Sequence, residues 1–282
     1  IAGGGSGMRD RLIGNQFRRF AQILLGITLV IPTARLYAQP VSAEIVKLTT
    51  RPDVTQQYLM IKEGSPKAVA LLFTGGVAPL KFTGTYPSIT WSAQGSSYVV
   101  RARMHFRDSD TAVVLIDSAS DMWEREQDQH FRQSAIHLND VRQVVADIKT
   151  RLPGAKIYLI GTSMGTVSAA HNGKALGKEI DGVVLTSSIF EGNRTLGYFD
   201  FSEYPVPLLF VHHVDDPCKW TPYWPVKKLV DKYPVIEVRG GETVRDNGCG
   251  PMGPHGFLGL EKEVALEIKN WIHGRPYKKQ IP

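Results

Sequence analysis

The sequence predicts a three-layer α/β domain on a mostly parallel sheet with an antiparallel N-terminal edge. Three observations predict it. Six short apolar runs, Ala68–Phe73, Ala112–Ile116, Ile157–Ile160, Val183–Thr186, Pro207–Val211 and Val235–Val238, have the length and continuity of strands buried on both faces. Segments of helical periodicity separate them. The clearest places Leu138, Val141, Val144, Val145, Ile148 and Leu152 on one face. Strand and helix alternate along the chain without repeats or low-complexity linkers, the pattern of right-handed βαβ crossovers.

The chain has 282 residues, 43% of them hydrophobic and 21% charged, which excludes a disordered or collagen-like polymer. Its formal charge of +6 raises nucleic acid or an acidic membrane as partners. The distribution of that charge argues otherwise. Residues 1–38 hold Arg9, Arg11, Arg18, Arg19 and Arg35 against Asp10, a net of +4, which leaves +2 on the other 244 residues. No nucleic-acid partner is expected.

In chain order, residues 1–7 read as a linker or upstream residues and Met8 as the start. Residues 8–38 read as a secretory signal peptide: arginines, an uncharged apolar segment from Phe20 to Ile31, then small residues. Cleavage after Ala38 or after Ala43 fits. An anchor is the alternative, but 12 residues fall short of the roughly 20 a membrane span needs. The mature protein is expected to be secreted or periplasmic, without stable membrane insertion. Residues 42–273 form a single domain and 274–282 a C-terminal tail.

Within the domain, Val46–Thr50 and Tyr58–Lys62 read as edge strands. Ser96–Phe106 reads as a helix, and so does the segment with Leu260, Val264, Ile268 and Ile272 on one face. The two cysteines, Cys218 and Cys249, have no Cys-x-x-Cys spacing, so no redox or zinc motif is present. In an oxidising compartment they can pair, stabilising the fold by roughly 3–4 kcal/mol in the chain-entropy view. Two separate buried thiols are the alternative.

Gly161-Thr162-Ser163-Met164-Gly165 carries the chemistry. It is G-x-S-x-G between a strand and a helical stretch from Ser163 through Ala175. The turn presents the Ser163 hydroxyl at a helix start, where the Met164 amide is free to stabilise an oxyanion. An acid follows a late strand in His212-His213-Val214-Asp215-Asp216-Pro217. Asp216 is chosen, because Pro217 holds it extended; Asp215 stays open. His255, between small turn residues ahead of the last helix, suits a loop-borne base.

The order Ser163, Asp216, His255, with the elbow and the two loops, resembles the α/β-hydrolase superfamily over nearly all of residues 42–273. The chain looks most like its small, lidless, secreted or periplasmic bacterial serine esterase-type members. The resemblance implies a carboxylic ester hydrolase that works through an acyl-enzyme, on a small-molecule or polymeric ester, with no cofactor and no metal. The chain departs from the family in one place. Members often carry His-Gly-Gly after the third strand, where this chain has Thr74-Gly75-Gly76-Val77. Gly75, Gly76 and Val77 are all open as the second oxyanion donor, and Gly76 is preferred. A Cys218–Cys249 bridge would tie the acid loop to the base loop, a placement comparable to the loop-tying disulfide of secreted polyester hydrolases.

The short stretch from Ile189 to Val206 leaves no room for a large helical lid. Val77, His213 and Trp220 are candidate pocket residues. Trp220, Tyr223 and Trp224 form either an apolar wall or ordinary packing, and Asp117, Ser118 and Asp121 are either pocket residues or loop caps. His105, His130, His137 and His171 read as helix-face residues. A His212–His213–Asp215 metal cluster is disfavoured, because adjacent strand residues point to opposite faces. A serine peptidase or amidase, and a catalytically inactive binding protein, are the competing functions. An elbow serine excludes the dehalogenase and epoxide hydrolase readings, which need an acid there.

Overall fold

A computed structural model describes Ile1 and residues 40–92, 96–242, 244 and 248–282. The arginine-bearing segment 8–38 and its Ala38 cleavage point lie outside these residues.

Among the described residues, nine strands form one sheet in the order β1-β2-β4-β3-β5-β6-β7-β8-β9. They are β1 (Val41–Arg51), β2 (Val54–Glu63), β3 (Ala68–Phe73), β4 (Thr111–Ala119), β5 (Lys156–Thr162), β6 (Gly182–Thr186), β7 (Leu208–His213), β8 (Val235–Val238) and β9 (Gln280–Ile281). The pairs β1–β2 and β2–β4 are antiparallel, and the others are parallel. The expected architecture is therefore present.

Period-two alternation in the apolar runs feeds two cores. Val69, Leu71 and Phe73 of β3 face one; Ala68, Ala70 and Leu72 face the other. Helices α4 (Ala135–Arg151) and α5 (Gly165–Leu176) cover the first core with Val141, Val144, Val145, Ile148, Ala169 and Ala170. Helices α1 (Tyr98–Arg101), α2 (Arg103–Phe106) and α7 (Glu261–Ile272) cover the second. Short helices α3 (Gln129–Arg132) and α6 (Trp224–Lys227) complete the set among the described residues.

Three details differ from expectation. The helix expected over Ser96–Phe106 starts at Tyr98 and breaks at Ala102 into α1 and α2. The expected tail 274–282 contributes β9, which pairs with β8 and buries Ile281; two residues are too few for a periodic signal. Cleavage after Ala43 would cut into β1, where Val41, Ser42 and Ala43 pair with Glu63, Lys62 and Ile61.

Between β6 and β7 the chain makes only a short 3₁₀ turn, Leu196–Tyr198, so the edge carrying the strand C-termini has no helical lid there. No helix among the described residues is long and apolar enough to cross a membrane.

Candidate active site

The site is built where β3, β5 and β7 end on one edge of the sheet, joined by a loop that leads into α7. The β5–α5 turn packs too tightly for side chains. A Cβ on Gly161 would run into the backbone of Gly165, and one on Gly165 into the carbonyl oxygens of Phe73 and Thr74. Ser163 takes up the strain with φ +51°. Its amide is held by Thr186 O at 3.1 Å, and its carbonyl accepts from Thr166 N at 2.9 Å and Thr166 Oγ1 at 2.6 Å. The serine is therefore fixed by backbone bonds that leave its hydroxyl for other work.

Asp216 sits beyond β7 with a fully buried side chain. Its Oδ1 accepts from the Cys218 amide at 2.9 Å. Its Oδ2 accepts from Thr221 Oγ1 at 2.8 Å and from His255 Nδ1 at 2.9 Å. Asp215 is exposed and gives its amide to His213 Nδ1. Of the two acids, the geometry pairs Asp216 with His255.

Thr221, which no sequence pattern singled out, is fully buried against both partners. Its hydroxyl proton goes to Asp216, so toward His255 Nδ1, at 3.1 Å, it can only accept. Nδ1–H is thus shared by two oxygens, and this tautomer leaves Nε2 as the basic nitrogen.

The His255 loop is braced from several sides. Ser187 Oγ donates to His255 O at 2.8 Å. Arg101 donates to Pro251 O at 2.9 Å and Gly256 O at 2.7 Å while pairing with Glu261. Ser187 and Phe257 also have positive φ, 45° and 53°, so strained backbone collects around the same point as Ser163.

Two cavities meet at Ser163, Gly76 and Cys249. One, of about 270 Å³, adds Gly75, Ser97, Tyr98 and His255. The other, of about 430 Å³, adds Met164, Ile189, Glu191, Gly192, Cys218 and Trp220. Cys218 and Cys249 are bonded to each other, so a disulfide forms part of the wall and joins the acid loop to the segment ahead of His255.

Of the three candidate oxyanion amides, Gly75 N–H already donates to Ser97 Oγ at 3.2 Å. Gly76, with φ +71°, borders both cavities; Val77 borders neither. The Met164 amide opens α5, where intrahelical acceptors are missing.

The remaining candidates divide clearly. His213 lines neither cavity. Its Nε2 lies 3.0 Å from Gly240 O and its Nδ1 accepts from Asp215 N, so both ring nitrogens hold loops. Buried His212 donates from Nε2 to Thr221 O at 2.8 Å, its Nδ1 has no partner among the described residues, and burial pushes its pKa down to about 4. Trp220 lines the larger cavity and is 44% exposed. Trp224 borders a neighbouring groove that shares Glu191 and Gly192, and the Tyr223 hydroxyl donates to Glu237. Asp117 caps Leu80 N and Lys81 N, and Asp121 pairs with Arg51 at 2.8 Å, so both are structural. His105, His130, His137 and His171 are on helices as expected.

Arg132 is a further residue the sequence did not flag. It is 3% exposed and donates to Gln127 O, Ser168 Oγ and Gly76 O at 2.9, 3.0 and 2.9 Å. Nothing in its local sequence marks it, because its partners are brought together only by the sheet.

Residues 105–216 match the family described as serine aminopeptidase, S33, a stretch that includes Ser163 and Asp216 and stops before His255. Among proteins of curated function, none matches the sequence. By structure the chain is similar to an α/β serine hydrolase without lid from Xanthomonas campestris (TM-score 0.54, 16% identity, 85% of this chain and 98% of that one). It is similar to a dienelactone hydrolase from Anabaena variabilis (TM-score 0.56, 12% identity, 83% and 98%). It is also similar to Est1E from Butyrivibrio proteoclasticus (TM-score 0.54, 12% identity, 83% and 98%). At these identities the likeness concerns the fold.

Proposed function

We propose that this chain, an α/β-hydrolase by fold, is a serine hydrolase that cleaves carboxylic esters through an acyl-enzyme. One observation carries the reading: Ser163, on a strained elbow, opens onto the same cavity as a histidine held by a buried carboxylate.

Ser163 Oγ attacks the ester carbonyl. His255 Nε2 accepts its proton and returns it to the departing alkoxide. Asp216 and Thr221 hold the imidazole tautomer, and Asp216 stabilises the imidazolium. The amides of Met164 and Gly76 receive the oxyanion, each worth about 10²–10³ in rate. Water, activated by the same histidine, releases the acid.

The larger cavity, with Met164, Ile189, Trp220 and the disulfide on its wall, suits an apolar acyl or aromatic group. The chain is exported: the basic and then apolar character of residues 8–38 and the Cys218–Cys249 bond both support that destination.

A second reading, an aminopeptidase, is favoured by the description of the matching family and by Glu191, the one carboxylate among the described residues that line the larger cavity. That carboxylate could hold a free α-amino group. The test is a panel of p-nitrophenyl esters of rising acyl length beside an aminoacyl anilide. Ester turnover at least tenfold above anilide turnover supports the esterase. Anilide preference abolished by Glu191→Gln would establish the aminopeptidase instead.

A further inference from the structure

A guanidinium buried at 3% exposure normally faces a carboxylate, because an uncompensated buried charge is strongly unfavourable. Arg132 faces none. Its three bonds, to Gln127 O, Ser168 Oγ and Gly76 O, all go to neutral acceptors. Asp117 borders the same small hollow, but its oxygens are taken by Gln57 Nε2 and by the amides of Leu80, Lys81 and Ser118. His137 lies there as well. Burial and the Arg132 charge push it down to about 3, so it is neutral and adds no compensation. Burial, opposed by the Asp128 carboxylate, lowers the Arg132 pKa to about 10, which leaves it cationic at neutral pH.

The partners of this charge have a common purpose. Gly76 belongs to the loop after β3, and Ser168 lies on α5, the helix that follows Ser163. Gln127 adds a third tie, since its amide donates to Val77 O at 2.8 Å while its carbonyl accepts from Arg132. One planar fork thus fixes the spacing between the two walls that supply the oxyanion amides.

We propose that Arg132 is a positioning residue of the oxyanion hole. It locks the Gly76 loop against the elbow helix and places a positive charge behind the point where the substrate oxygen becomes negative. The proposal rests on the serine-hydrolase reading above. In the resting protein the charge has no ion-pair partner among the described residues, only the field of Asp128; the tetrahedral oxyanion supplies a second negative charge. An interaction that strengthens only as that charge develops raises kcat and leaves KM nearly unchanged. The sequence hides it because Arg132 touches neither the nucleophile nor the substrate.

The test compares Arg132→Met, Arg132→Gln and Arg132→Lys in the full chain. Each is checked for folding by thermal melting and for an intact Ser163 by fluorophosphonate labelling. p-Nitrophenyl butyrate gives kcat and KM. A butylboronic acid, which forms a tetrahedral anion on the serine, gives an inhibition constant. Arg132→Met is expected to lose about 10–10² in kcat with KM within threefold, and to lose boronate affinity by a similar factor. Arg132→Lys, which keeps the charge with a weaker grip, is expected to exceed Arg132→Gln, which keeps a neutral donor, by at least fivefold in kcat. If Arg132→Met does not fold, the Lys and Gln variants decide. A loss confined to KM, or a Gln variant as active as the Lys variant, overturns the proposal. A wild-type chain that neither labels nor turns over ester overturns the hydrolase reading itself, and the proposal falls with it.

Discussion

Asp216 and Asp215 are adjacent and chemically identical, yet only one of them meets His255. Asp216→Asn is expected to lower kcat by about 10³–10⁴, because the amide favours the wrong imidazole tautomer, whereas Asp215→Asn stays within threefold. Burst-free steady-state assays of the two variants check this. Thr221→Val removes a donor to the carboxylate and an acceptor for Nδ1–H together. It is expected to cost about tenfold in kcat with little change in KM. The proposed set of Ser163, Asp216 and His255 could be named from the sequence because G-x-S-x-G and the loop positions of the acid and base are local patterns. Thr221, Ser187, Arg101 and Arg132 were not, because each acts across a gap in sequence that only folding closes. His213 shows the converse: a histidine beside the acid is a tempting pocket residue, but its two nitrogens are used to hold loops.

At the scale of elements, the strands were legible from their apolar runs, and β3 has the expected bounds Ala68–Phe73. What escaped was short or irregular: the break at Ala102, the two-residue β9, and α3 with its buried arginine. None is long enough to show a period. The tightest contact is the elbow. Gly165→Ala would drive a methyl group into the β3–loop backbone and is expected to abolish serine labelling as well as lower the melting temperature. The disulfide joins the acid loop to the segment ahead of His255 across a separation of 31 residues. Replacing both cysteines by serine is expected to remove about 3–4 kcal/mol of stability by denaturant titration. Mild reduction should lower turnover before the unfolding transition begins; simultaneous loss of both would mean the bond stabilises the fold without holding the Asp216–His255 pair.

For the molecule as a whole, the +6 charge says little about partners, since +4 of it lies in residues 1–38. The pH dependence of stability is more informative. Burial pushes His137 down to about 3 and His171 and His212 to about 4. In the unfolded chain each ring takes a proton near 6.5, and in the folded chain it resists until pH 3–4. Between those values unfolding takes up protons. Stability is therefore full above pH 6.5 and falls as pH is lowered, by up to ~1.4 kcal/mol per unit per buried ring. Denaturant midpoints measured from pH 7 to 4.5 should decline steadily, and a flat profile would contradict the assigned neutral rings. The central claim is that the sheet edge carries one activated serine, and covalent labelling tests it most directly. Fluorophosphonate treatment followed by intact-mass and peptide mapping should give a single adduct on Ser163, absent in Ser163→Ala and strongly slowed in His255→Ala. No adduct, or an adduct that survives Ser163→Ala, would contradict the account.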